Sequence, residues 1–140
     1  MDIHSLDRFI QAQALTYQSA LKEIKNGKKR SHWMWFMFPQ LRGLGTSAMA
    51  HAYGISDLDE AKAYLAHPVL SGRLCELCGE LLKHKDKTAL EIFGDIDEMK
   101  LKSSMTLFAL TSEDYTIFDE VLEHFFSGEM DEVTVKLING

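Results

Sequence analysis

A chain of 140 residues that is 46% hydrophobic and 26% charged is long enough to close one hydrophobic core and too short for two, so it reads as one globular domain rather than a disordered segment. Its 15 basic and 21 acidic residues leave a formal charge of −6, which opposes non-specific binding to nucleic acid or an anionic membrane and leaves only a local basic patch as a route to either. The start, Met1 to Ser5, has neither a charged n-region nor an apolar h-region, and no stretch reaches the ~18 apolar residues of a membrane span, so a cytoplasmic protein with no membrane partner is expected.

In chain order, Leu6, Ile10, Ala14, Tyr17, Leu21 and Ile24 recur at three or four and predict an amphipathic helix, with Ser5 as its cap and Gly27 past its end. A short helix is expected after Thr46 or Ser47. Another runs from Ser56 or Asp57 to Ala66 over Leu58, Ala61 and Leu65. Pro68 then opens a longer helix whose buried face is Val69, Leu70, Leu74, Leu77, Cys78, Leu81 and Leu82, followed by cations at Lys83, His84, Lys85 and Lys87. Cys75 and Cys78, the two cysteines, lie three apart on this helix. They exclude a disulfide framework and supply half of a tetrahedral zinc site at most, so free buried thiols are expected, with no metal and no cofactor.

Thr88 starts a turn through Phe93 that Gly94 stops, and Asp95 or Asp97 caps a central apolar helix reaching Leu110. It carries Met99, Leu101, Met105, Leu107 and Phe108. A further helix spans about Ser112 to Ser127-Gly128, and a last one Asp131 to Leu137. Val133-Thr134-Val135 is the only β-branched alternation and is too short for a sheet. The fold class is therefore all-α, a multihelical domain of about six to eight unequal helices.

Residues 28 to 53 concentrate the groups that a helical core does not require. Lys22, Lys25, Lys28, Lys29 and Arg30 form a basic run, interrupted by Glu23, that ends on Ser31-His32-Trp33-Met34-Trp35-Phe36-Met37-Phe38-Pro39-Gln40. That apolar density exceeds one helix face, so the segment either threads the core or walls a cavity. The loop Arg42-Gly43-Leu44-Gly45-Thr46-Ser47 follows. Its glycines allow a ligand close to the backbone, and Arg42 or Arg30 offers the guanidinium fork that a phosphate or carboxylate prefers. Without a preceding strand it is not a dinucleotide fingerprint. Each group also has a plainer reading: Lys28 and Lys29 as a solvated loop, Trp33, Phe36 and Phe38 as core, His32 as a hydrogen-bonded core imidazole rather than a titrating acid or base, and His51 and Tyr53 as a surface helix end. Lys100, Ser103 and Ser104 share one helical face, where a Ser-Lys nucleophile reading lacks a third orienting group.

The strings RSHWMWFMFPQLRGLG (residues 30 to 45) and EIFGDIDEMKLKSSMTLF (residues 91 to 108) resemble a bacterial family catalogued as domain of unknown function eighteen-ten, some members of which carry the label calpastatin. The resemblance spans nearly the whole chain and implies a multihelical fold of this size. It implies no function, and the label has no physical support, because true calpastatin is a long disordered inhibitor and this composition closes a core. The family's pattern falls on Arg30, Ser31, His32, Trp33, Trp35, Phe38, Pro39, Gln40, Gly43, Gly45, Tyr53, Phe93, Gly94, Lys100, Ser103 and Ser104. Lys102 stands where the pattern has Arg, which keeps charge and loses a bidentate fork.

Two classes of function compete on these residues. The first is a pocket for a small anionic, nucleotide-like metabolite, with Trp33 or Trp35 stacking on a ring, Arg30, Arg42 or Lys100 meeting the anion, and Gln40 and Tyr53 completing the wall. If it is an enzyme, His32 is the candidate general acid or base, supported by Ser103 or Ser104, for hydrolysis or transfer at a glycosidic or phosphoester bond. The alternative is a protein-interaction module that docks a partner, or its own twin, on the aromatic segment 33–38. Single-strand nucleic-acid binding ranks below both because the chain is acidic. Composition leaves the oligomeric state open.

Overall fold

Among residues 5–140, which the computed structural model describes, the chain forms eight helices and no strand. They are α1 (Asp7–Lys25), α2 (Met34–Met37), α3 (Ala48–Tyr53), α4 (Leu58–Ala66), α5 (Pro68–Leu82), α6 (Ala89–Thr111), α7 (Ile117–Phe126) and α8 (Glu132–Asn139). The all-α class and the unequal lengths are those the periodicity predicts. The reading made on Met1 to His4 lies outside the described residues, and no described helix is long and apolar enough to cross a membrane.

Side chains close to the helix starts explain most of the boundaries. Asp57 accepts from the Glu60 amide at 2.9 Å, the His67 ring accepts from the Val69 amide at 3.2 Å ahead of Pro68, and Thr88 with Glu91 and Thr116 with Asp119 form reciprocal capping boxes. Each such cap contributes about 1 kcal/mol. One expected cap and one expected helix start lie elsewhere. Ser5 does not cap α1, whose N-terminal boundary is Leu6 without a side-chain bond. Ser112 closes α6 rather than opening α7, because its hydroxyl donates back to the Phe108 carbonyl at 3.1 Å. The stop at Gly94 is a break inside α6, at φ 84 and ψ 166, a region open essentially to glycine alone.

The core gathers around α5 and α6, with α1 and α7 against α5, and α4, α7 and α8 against α6. On α1 the buried line is Phe9, Gln13, Tyr17, Ala20 and Ile24, rotated from the expected stripe so that Ala14 is exposed and Leu6, Ile10 and Leu21 are only half-buried. The reason is Gln13, whose amide nitrogen donates to the Phe36 carbonyl (2.8 Å) and the Tyr64 hydroxyl (3.0 Å) while its oxygen accepts from Arg73 (3.3 Å). A polar side chain with three partners loses little by entering the core. Cys78 is buried and Cys75 is exposed, which corrects the expectation that both are sealed. Burial pushes the Cys78 thiol well above its ordinary pKa. Likewise Met99 and Val69, expected inside, are exposed, whereas Leu101, Met105, Leu107 and Phe108 are core.

One ion pair ties the ends of this frame. The Arg8 guanidinium meets both oxygens of Glu60 at 3.0 and 3.1 Å, and also donates to the carbonyls of Ala52 (2.9 Å), Gly54 (3.0 Å) and Ser5. Glu60 is buried, and its second debt is met by the Ser56 amide at 2.8 Å. Removing either partner of so enclosed a pair costs about 3–5 kcal/mol.

Candidate functional site

The basic run is organised by the acid that interrupts it. Glu23 accepts from the backbone amides of Arg30 (2.7 Å) and Ser31 (2.8 Å), from the Ser31 hydroxyl (2.6 Å) and from the Trp33 indole (2.9 Å). Partial burial works to raise the pKa of this carboxyl, but the four donors outweigh it and hold it down at about 2. The same loop is anchored on α6 by the Lys29 amide, which donates to the Ile92 carbonyl at 2.8 Å. With the indole held inward, Trp33 is 1% exposed and its neighbour His32 is turned out to solvent.

The aromatic segment then threads the core. Trp33, Met34, Met37 and Phe38 are buried, with Phe38 and Trp33 packed on Phe93 at ring separations of 6.1 and 6.3 Å. Phe36, half-buried, stands edge-on to Tyr53 at 4.7 Å. At the segment's end a single bridge fixes the chain: the Ile55 amide donates to the Gln40 carbonyl at 2.8 Å, and the Arg42 amide donates to the Ile55 carbonyl at 2.7 Å. Gly54 permits it, since a Cβ there would lie 2.6 Å from the Ala50 carbonyl oxygen and 2.9 Å from the Arg42 Cα.

This bridge delivers the Gln40 side chain to a solvent-reachable hollow of about 440 Å³ between the 40–47 loop, the middle of α6 and the start of α8. Its wall combines Trp35, Gln40, the stretch Leu44 to Ser47, Met99, Lys100, Ser103, Asp131 and Val133. Gln40 is 3% exposed, and its amide nitrogen is buried without a hydrogen-bond partner. A buried donor left so costs roughly 1–3 kcal/mol. The Lys100 ammonium lies 3.2 Å from Asp97, Ser103 donates its hydroxyl to the Met99 carbonyl at 3.1 Å, and Asp131 caps α8 by accepting from the Thr134 amide (2.9 Å) and hydroxyl (2.6 Å). The hollow therefore offers one cation, one carboxylate and an indole wall, with the unpartnered Gln40 amide nitrogen buried behind its surface.

Of the residues singled out from sequence, Trp35, Gln40, Lys100 and Ser103 meet here. The others do not. His32 is exposed outside the hollow, and Trp33 is sealed in the core, both through the hold of Glu23. Arg30 is exposed on the same loop. Arg42 borders a separate hollow with Leu41, Ser56, Asp57 and Asp59. Tyr53 packs on Phe36 and Phe9. Ser104 is fully buried, with its hydroxyl unpartnered, on the inner side of α6. Segment 33–38 has only Phe36 partly exposed and so presents no apolar docking face. Asp131 and Asp97 read from the sequence only as helix starts, not as members of a site. Asp97 was legible as the residue three before Lys100, whereas Asp131 borders the hollow with its amide donating to the buried Thr106 hydroxyl at 2.8 Å, a contact that no local spacing announces. Among the described residues no cluster of His, Cys, Asp and Glu is arranged to hold a metal ion.

Comparison with known proteins gives a family and one close structural relative. The family model described as Protein of unknown function (DUF1810) matches residues 3–138. The chain is also similar to the conserved hypothetical protein Rv1873 from Mycobacterium tuberculosis, at 47% identity over 99% of each chain, with a TM-score of 0.96 to its crystal structure. No curated protein matches.

Proposed function

Given that the chain belongs to the DUF1810 family of proteins of unknown function, we propose that it binds a small anionic, nucleotide-like metabolite in the hollow bordered by Trp35, Gln40, Lys100 and Ser103. The observation that carries this is that Gln40, whose side-chain amide nitrogen is buried without a partner, borders an open hollow beside Lys100 and Trp35. A donor held at that cost is satisfied when a ligand oxygen or ring nitrogen reaches it. Lys100 supplies the countercharge for the anion and Trp35 a flat apolar wall for a ring. The volume of about 440 Å³ falls in the ~300–1,000 Å³ range of small-molecule sites.

Binding alone is what these groups support. The Ser103 hydroxyl is committed to Met99, and no imidazole borders the hollow. The test is a thermal-shift panel of nucleoside monophosphates, nucleoside diphosphates, sugar phosphates and ADP-ribose derivatives, since a ligand that binds only the folded chain raises the melting temperature. A hit is expected to vanish in Gln40→Leu and Lys100→Met and to persist in His32→Ala. A hit that survives both pocket substitutions, or that His32→Ala abolishes, refutes the assignment of the hollow.

A further inference from the structure

Asp97 stands between two ammonium groups. Its Oδ1 is 3.2 Å from Lys100 Nζ, and its Oδ2 is 2.8 Å from Lys29 Nζ. The two lysines are differently placed. The Lys29 side chain is 8% exposed against 30% for Lys100, and its ammonium also donates to the Ser31 carbonyl at 2.6 Å and lies 5.1 Å from the Trp33 ring. Lys29 is thus fixed by the core and by the loop that Glu23 holds, whereas Lys100 is tethered only through Asp97 and borders the hollow. The three charges sum to +1, and the more exposed lysine of the set is the one that borders the hollow.

We infer that Lys29, which does not border the hollow, is the positioning residue that keeps the Lys100 ammonium available to an anionic ligand; this rests on the reading of the hollow given above. A carboxylate shared between two cations binds each less firmly than it would bind one alone, because part of its charge is already compensated. Lys29 holds one oxygen in a nearly enclosed contact and leaves Lys100 with a surplus of positive charge. When the Lys100 ammonium turns to a phosphate or carboxylate, Asp97 is not stranded, since Lys29 still neutralises it. Lacking Lys29, Asp97 has Lys100 as its sole partner, and an incoming anion must break that pair outright.

The prediction is read first without any ligand, by reductive methylation of lysines followed by peptide mass spectrometry, with the exposed Lys62 as internal standard. An amine held in a closer ion pair is modified more slowly. Lys29→Met is expected to slow Lys100 modification about threefold, and Lys29→Arg, which keeps the charge, to leave it at the wild-type rate. Asp97→Asn, which frees Lys100, is expected to speed it about threefold and serves if Lys29→Met loses its cooperative melt. An unchanged or faster Lys100 in folded Lys29→Met, or an unchanged Lys100 in Asp97→Asn, overturns the inference. Calorimetric titration with inorganic pyrophosphate then reads the hollow itself. Wild-type protein is expected to bind it and Lys29→Met to bind it about threefold more weakly. Equal affinities overturn the role of Lys29 in anion binding, whereas no binding by wild-type protein overturns the hollow as an anion site and leaves the methylation rates to decide what Lys29 does to Lys100.

Discussion

Replacing Glu23 by Gln tests whether one carboxylate organises the loop that separates His32 from Trp33. Four donors converge on this group, and its pKa falls from 4.5 to about 2. A fall of that size corresponds to an upper bound of roughly 3.4 kcal/mol at neutral pH. Glu23 is only half-buried, and solvent screening brings the expected loss in Glu23→Gln to about 1–2 kcal/mol, or a melting temperature lower by roughly 3–8 °C. The sign with pH follows from the depressed value. The contribution is complete above the unfolded pKa near 4.5 and is lost as pH falls toward about 2, so wild type and variant converge in acid, with about half of the difference gone by pH 3. Paired thermal melts at pH 7, 5 and 3, followed by far-ultraviolet circular dichroism, make the measurement. A difference that stays constant from pH 7 to pH 3, or that is absent at pH 7, refutes the reasoning.

Three further perturbations follow from single observations. Gln40→Leu removes the unpartnered buried donor and is expected to raise stability in urea by about 1 kcal/mol while abolishing ligand binding; a destabilised Gln40→Leu contradicts the idea that the amide is held for a ligand. Gly94→Ala meets no neighbouring atom but keeps φ at 84, so the cost is purely of backbone conformation, about 1–3 kcal/mol in urea unfolding. Arg8→Met leaves the Glu60 carboxylate enclosed without its main partner and should lower stability by about 3–5 kcal/mol, much of it regained in Arg8→Met combined with Glu60→Met. A double variant no more stable than the single one would show that the ion pair contributes through shape and not through charge.

How much of this was legible in the chain depends on how far apart the cooperating residues lie. Asp57, Thr88 and Thr116 bond to atoms three or fewer residues away, and of these Asp57 and Thr88 are read directly from spacing. Gln13 is the opposite case. It looks like a surface residue until its partners 23, 51 and 60 residues away are counted. Within the site, Lys100 and Ser103 share a face by helical period alone, and Trp35 and Gln40 were marked by their setting. Spacing left His32 and Trp33 each with two readings because adjacent residues in a loop have no period, and the carboxylate that sorts one outward and the other inward sits eight or more residues back on α1.

From its sequence alone the chain is determined to be helical, unequal in its segments and built with one mostly apolar central helix, because helix caps and apolar periodicity act over three or four residues and are written locally. Which face of α1 turns inward, which tryptophan is buried, and which polar groups surround the hollow were decided by contacts between distant segments. Asp97 held by Lys29, Asp131 hung on Thr106, and Gln40 set by Ile55 are each a long-range geometric fact. Hydrogen bonds and ion pairs carry no sequence spacing of their own once the chain has doubled back, so only the assembled structure could bring those groups to one place.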